Sequence, residues 1–260
     1  MLANRRSLAT CLEAYGINCV SYDKVLGDDW DLADDLVWTA LLAKIRQGLY
    51  KFVFSSLPCK SAAISRHRPD RGPGPGPLRA TDKRGLWGLP NLQPADKELV
   101  RLGNLHVTRT GIACREVMAA GGWGFGVEQP APVDGLPSLL HLEPLQLEDL
   151  GAVDVIFHQC PFGADSVKPT CIRYVGGSFD QLAQHQCTHP KVTWTDERTG
   201  ESYEAPHQRL AGRKLPNGKW ATESAQHYSD LLNETLASCI AAGVWGRKGD
   251  PASADSFRSS

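Results

Sequence analysis

Apolar residues recur at helical spacing over residues 7–15, where Leu8, Leu12 and Tyr15 share a face and Gly16 supplies a stop. The next apolar run, Ile17 to Tyr22, ends in Asp23 and predicts a buried strand with a carboxylate at its C-terminal tip. Residues 33–47 predict an amphipathic helix with Leu36, Ala40, Leu41 and Ile45 on one face, closed by Gly48. Lys51 to Leu57 predicts a second strand around Phe52-Val53-Phe54, stopped by Pro58. Strand, helix and strand at this spacing predict an α/β fold with a parallel sheet covered by helices.

Residues 66–92 break that rhythm. Arg66, Arg68, Arg71, Arg79, Lys83 and Arg84 are interleaved with the alternating Gly-Pro run from Gly72 to Pro77, which predicts a basic, partly stiff loop. A long helix is predicted from Pro94, a good first-turn residue, to Ala120, ended by Gly121-Gly122. Trp123 to Glu128 predicts a third strand, again finishing in a carboxylate. Residues 153–157 and 170–175 predict a fourth and a fifth. Residues 190–222, rich in turn formers, predict a hairpin or irregular excursion, and Ser224 to Ala242 a helix with Tyr228, Leu231, Leu232, Leu236 and Ile240 in period. The expected organisation is one core over 1–189, the excursion and helix of 190–246 as part of the same domain, and a disordered tail over 247–260.

Composition changes this picture little. Of 260 residues, 42% are hydrophobic and 22% charged, ordinary for a chain that buries a core, and the net charge of −1 advertises no global field for nucleic acid. A base-modifying enzyme needs only a local basic cleft. No stretch approaches the roughly 20 apolar residues of a membrane span, and no apolar signal-peptide core follows Arg5-Arg6. Eight scattered cysteines, several inside apolar runs, suit reduced thiols, so an intracellular location, cytoplasmic or nuclear, and no membrane partner are expected.

Candidate chemistry gathers at strand ends. Open parallel sheets bind ligands beyond the carboxyl ends of their strands, and Asp23, Cys59 and Glu128 each fall there. Pro58-Cys59 after a buried strand, an Arg-rich loop reaching Pro77-Leu78-Arg79, a long helix, and then Val127-Glu128-Gln129-Pro130 together resemble the catalytic half of cytosine-5 DNA methyltransferases. Tyr22-Asp23 is similar to the acidic strand end that holds the cofactor ribose, and Trp30-Asp31-Leu32 to the segment whose Asp contacts the adenine. The resemblance covers about residues 7–175. It implies a Rossmann-like, class I methyltransferase-like sheet, S-adenosylmethionine as cofactor held by Asp23, Asp31 and Pro58, and DNA (or RNA) as partner.

In that reading Cys59 is the nucleophile that adds to carbon 6 of cytosine, and Glu128 holds the base through N3 and N4. The thiol pKa must fall from about 8.5, through the basic loop or the cofactor's sulfonium. The target base must leave the stack, and Arg66, Arg68 and Arg79 of the loop, with Lys168, are the expected contacts to nucleic acid. A Gly-rich segment that opens this fold in the family has no counterpart in Met1 to Arg6, so an N-terminally truncated or decayed relative, phage- or retroelement-associated, is expected. The alternative function is therefore a structural or nucleic-acid-binding module of a mobile element that keeps the fold without the catalysis. Residue by residue the plainer readings stay open: Cys59 as a small buried hydrophobe, Glu128 as an ordinary strand-end carboxylate, Asp23 and Asp31 as helix caps.

A second cluster, Cys160, Cys171, His185, Cys187 and His189 with His158 nearby, invites a zinc reading. Its spacing contains no Cys-x-x-Cys, so no metal is expected, and a third possibility, a zinc-stabilised nucleic-acid-binding domain, ranks last.

Overall fold

The computed structural model describes residues 7–67, 75–196, 200–210, 221–222 and 227–246. Helix α1 (Leu8–Ala14) starts at Ser7, whose hydroxyl accepts from the Thr10 amide, and ends before Gly16 in the left-handed region. Helix α2 (Asp35–Arg46) is capped by the Asp34 carboxylate, which accepts from the Leu36 and Val37 amides. Its inward face is Trp38, Leu41 and Ile45, whereas Leu36 is 81% exposed and Ala40 also faces out. The helix forms as expected but is rotated from the expected face, because the tryptophan offers more apolar area to bury than Leu36.

Four strands form one sheet in the order β1-β2-β4-β3: β1 (Phe52–Ser56), β2 (Gly124–Pro130), β3 (Val153–His158) and β4 (Pro169–Val175). Strands β1 and β2 are parallel, joined across helix α3 (Pro94–Ala119), while β4 runs antiparallel to both β2 and β3. The sheet is therefore mixed, not parallel throughout. Residues 159–168 between β3 and β4 fall short of the dozen or so that a parallel crossover needs, so the chain folds straight back.

Residues 17–22 pair with no strand, contrary to expectation. Ile17 and Cys19 pack against the apolar layer that contains Leu12, so packing on helices and not a ladder accounts for this apolar run. Helix α4 (Asp230–Gly246) starts later than expected, and residues 190–222 contain a short hairpin, β5 (Val192–Thr195) with β6 (Ser202–Ala205). The expected tail at 247–260 lies outside the described residues. Among the described residues no helix is long and apolar enough to cross a membrane.

The sheet lies between two apolar layers. On one face Phe125 and Val127 of β2 meet α2, α3 and the turns at 139–147; on the other, Phe52 and Phe54 meet Phe179, α1 and α4. Gly126 lies on the second face, where an added Cβ would come within 2.8 Å of the Phe54 ring, so this glycine lets the aromatic layer close over β2. Side chains alternate along a strand, so Glu128, two residues on, points to the same face toward the start of α4.

Candidate active site at the ends of two parallel strands

The register that aligns β1 with β2 sets Ser56 directly beside Glu128. Because the two strands are parallel, both chains leave the sheet at the same edge, and the turn Pro58-Cys59 begins where β2 delivers its carboxylate. Ser56 Oγ donates to Glu128 Oε2 at 2.7 Å. Glu128 is only 5% exposed, and no cation forms an ion pair with it among the described residues. A buried carboxylate met by hydroxyls alone is costly, and the second one present, the buried Tyr228 hydroxyl, lies beside Glu128 and Ser56 without a well-formed hydrogen bond. Burial first, then the Glu128 charge, pushes the Tyr228 phenol far above its ordinary range.

Gln129 explains how the turn is held. Its buried amide donates to the Leu57 carbonyl and to the Glu128 carbonyl, each at 2.9 Å, tying the end of β2 to the backbone just before Pro58. Cys59 is half-buried at the start of a 3-10 turn (Cys59–Ala62) that follows Pro58. A shallow cleft runs past it, lined by Ile64, Gln129, Pro130, Val133 and Leu136 among others.

The electrostatics differ from the expectation. Burial, and next the Glu128 carboxylate, raise the Cys59 thiol; Lys168 and Lys60 pull it back only in part. The basic loop is not among the groups that lower it: Arg66 and Arg79 are engaged within the protein, and Arg84 is exposed. Arg79, expected at a phosphate, is 1% exposed: Nη1 donates to the Leu86 carbonyl at 2.6 Å and to Asn104 Oδ1 at 2.8 Å, and Nη2 to Ser61 Oγ at 3.0 Å. With no ion pair among the described residues, Arg79 is pushed down to about 10 by desolvation. Gly103 makes room for this network, since a Cβ there would sit 2.8 Å from Ser61 Oγ. Arg66 donates to the Lys60 and Gly76 carbonyls and faces Asp96 at 3.8 Å, which braces the loop at both ends. Arg68 lies outside the described residues.

Lys168 is different. It is the one described non-glycine residue with positive φ, at 37°, and its ammonium lies 5.6 Å from the Tyr228 ring centre. The left-handed backbone at Lys168 and the ammonium over the Tyr228 ring leave a cation near Cys59, at the site's edge.

The two aspartates expected at a cofactor serve their own loop. Asp23 Oδ1 accepts from the Val25 amide as the cap of a short turn. Asp31 Oδ1 accepts from the Ala33 amide, its other oxygen faces Lys24 Nζ at 3.4 Å, and the backbone bond most of all holds its carboxyl below the usual range. No described contact joins either of them to Cys59 or Glu128.

Sequence reasoning did not single out Ser56 or Tyr228 as site residues. Ser56 was readable in principle, since it precedes Pro58-Cys59 by the length of a strand end. Tyr228 was not, because only folding brings a residue a hundred positions away to Glu128. No family model matches the chain, no curated protein matches it, and no solved structure matches its fold.

Proposed function

We propose that this chain is a cytosine-5 DNA methyltransferase-like domain in which Cys59 is the nucleophile and Glu128 positions the base. The observation that carries the reading is the pairing of a half-buried cysteine after β1 with a buried carboxylate near the end of β2, in no ion pair among the described residues, on adjacent parallel strands. A buried carboxylate flanked by hydroxyls is retained most readily where a ligand completes its hydrogen bonds. An aminopyrimidine does so, with N4–H donating to one oxygen and N3 meeting the other when the pair shares a proton.

The chemistry follows from those two groups. Cys59, as thiolate, forms a bond to carbon 6, and the electron pair of the 5,6 double bond moves to carbon 5 while N3 takes a proton held against Glu128. Carbon 5 is then nucleophilic. After carbon 5 takes an electrophile, its hydrogen leaves as a proton to solvent water and the C–H pair re-forms the 5,6 double bond. The sulfur–carbon pair leaves with Cys59 as thiolate, and N3 returns its proton to Glu128. Lys168 at the site's edge supplies positive charge near Cys59 and a contact for a phosphate; the Rossmann-like fold and DNA as partner are part of the same proposal.

S-adenosylmethionine is the methyl donor that the resemblance implies, but Asp23 and Asp31 fit it poorly, since both are committed to turns and to Lys24. No step is derived through it. That misfit, with the raised Cys59 thiol, is what favours the second reading, a decayed fold that binds nucleic acid without chemistry. Exchange of the carbon-5 hydrogen of cytosine in DNA separates the two. It needs no methyl donor, only reversible thiolate addition. The enzyme reading expects tritium release from 5-tritiated cytosine, abolished by Cys59→Ser; the decayed reading expects DNA binding with no release.

A further inference from the structure

Far from Cys59 in the chain, four side chains that hold metals well converge at the base of the β5–β6 hairpin: Cys160, Cys187, His189 and His207. Their ligating atoms all lie within 4.8 Å of one another. Cys187 Sγ is 3.5 Å from His189 Nδ1, and His189 Nδ1 is 3.2 Å from His207 Nε2. A tetrahedral zinc with Zn–S of about 2.3 Å and Zn–N of about 2.05 Å places sulfur and nitrogen about 3.5 Å apart, and two nitrogens about 3.3 Å apart. Both recorded separations match those edges.

We propose that these four residues form a structural zinc site of the Cys2His2 type. The absence of Cys-x-x-Cys spacing, which argued against metal, is answered by topology: the ligands come from three segments brought together by folding. Cys160 follows β3, Cys187 and His189 precede β5, and His207 follows β6. Cys171 and His185, equally prominent in the sequence, are not among the four. Cys171 is fully buried on β4 in the apolar core, and the His185 ring packs on Phe162.

The surroundings hold the ligands in place. The Cys187 amide donates to His158 Nδ1 at 2.8 Å, and the His158 amide donates to the His185 carbonyl at 2.9 Å. Gln186 Nε2 donates to the Ile156 carbonyl at 3.1 Å. The loop carrying Cys187 is thus stitched to the end of β3, two residues from Cys160. Hydrogen bonds among the four groups would not gather them so closely, because a thiol is a weak donor and acceptor, and here two thiols meet two imidazoles.

The site also meets a structural need. A two-stranded hairpin is marginal on its own, and among the described residues β5 and β6 make their substantial contacts with each other and with no other helix or strand. A metal joining both feet of the hairpin to the segment after β3 would fasten it to the sheet, as structural zinc does where the apolar core is too small. The proposal is independent of the chemistry at Cys59.

Elemental analysis of the purified full chain, after dialysis without chelator, is expected to give about one zinc per chain. Cobalt titrated into metal-free chain should give the visible bands of a tetrahedral ion and a thiolate-to-cobalt charge-transfer band, saturating at about one equivalent. Cys187→Ser and His207→Ala should lose the metal, and Cys19→Ser should keep it. His207→Cys should restore binding with a stronger charge-transfer band, which separates ligand loss from misfolding. A natively folded chain with neither zinc nor a tetrahedral cobalt spectrum would overturn the proposal. Unchanged metal content in both Cys187→Ser and His207→Ala would do the same.

Discussion

Cys59 carries a tension that single substitutions can measure. Its thiol is raised by burial and by Glu128, and partly lowered by Lys168 and Lys60, so most of it stays protonated at neutral pH. Removing the carboxylate in Glu128→Gln should lower that pKa and speed alkylation of Cys59 at fixed pH, on the order of several-fold, whereas Lys168→Met should slow it. Mass spectrometry of briefly alkylated protein reads both, and equal rates in the two variants would remove Glu128 and Lys168 from the thiol's environment. In the unaltered chain Cys59 should label ahead of Cys114, Cys171 and Cys239, all of them buried and all pushed upward by desolvation. Arg79 is a residue whose type was legible and whose role was not. A charged residue in a basic loop reads as a surface contact, and only the fold shows Ser61, Leu86 and Asn104 enclosing it. Arg79→Met should strand those acceptors and cost roughly 2–4 kcal/mol, read as a lower midpoint in urea unfolding.

Elements were read better than their faces. Helices at 8–14, 35–46 and 94–119, and strands in all four sheet positions, follow from periodicity and from Gly and Pro stops, because those signals are local. The false strand at 17–22 and the rotated face of α2 come from the same blind spot: an apolar run says that something is buried, not what buries it. The direction of β4 follows from the connection at 159–168, which is too short for the crossover that a parallel sheet requires. Element packing also makes a prediction on α3. A Cβ at Gly111 would lie 2.2 Å from the Pro144 carbonyl oxygen, so the turns at 139–147 close on this helix only because that residue is glycine. Gly111→Ala should cost about 3 kcal/mol, read as a lower urea midpoint with an unchanged slope. A loss under about 0.5 kcal/mol would mean that the turn moves freely away from α3.

At the scale of the whole molecule the buried thiols lower stability in alkali. Burial raises Cys171 to about 12 and Cys239 to about 11, above the roughly 8.5 of a free thiol. The folded state therefore keeps protons that the unfolded chain releases, so the contribution of these two groups to stability is full below about pH 8.5 and is lost as pH rises toward those values. Melting temperature should fall steadily from pH 8.5 to 11, and a flat profile would contradict the burial of these groups. The layered α/β plan was legible because it is the sum of local patterns. Cys59, Glu128 and Lys168 are legible in the sequence, as are Cys160, Cys187 and His189 of the second cluster, while Ser56, Tyr228 and His207 are placed by tertiary packing. The committed carboxylates of Asp23 and Asp31 predict that this 260-residue chain binds S-adenosylmethionine weakly or not at all in calorimetry, and micromolar affinity would show that the loop rearranges.

The central claim is that Cys59 adds reversibly to cytosine held by Glu128, and it is tested without any methyl donor. DNA labelled with tritium at carbon 5 of cytosine is incubated with the full chain, and release of label to water is followed with time. Release should rise with pH as the Cys59 thiolate forms, fall at least tenfold in Glu128→Gln, and vanish in Cys59→Ser. Release at the same rate in Cys59→Ser, or none from a folded chain that binds the DNA, would contradict it.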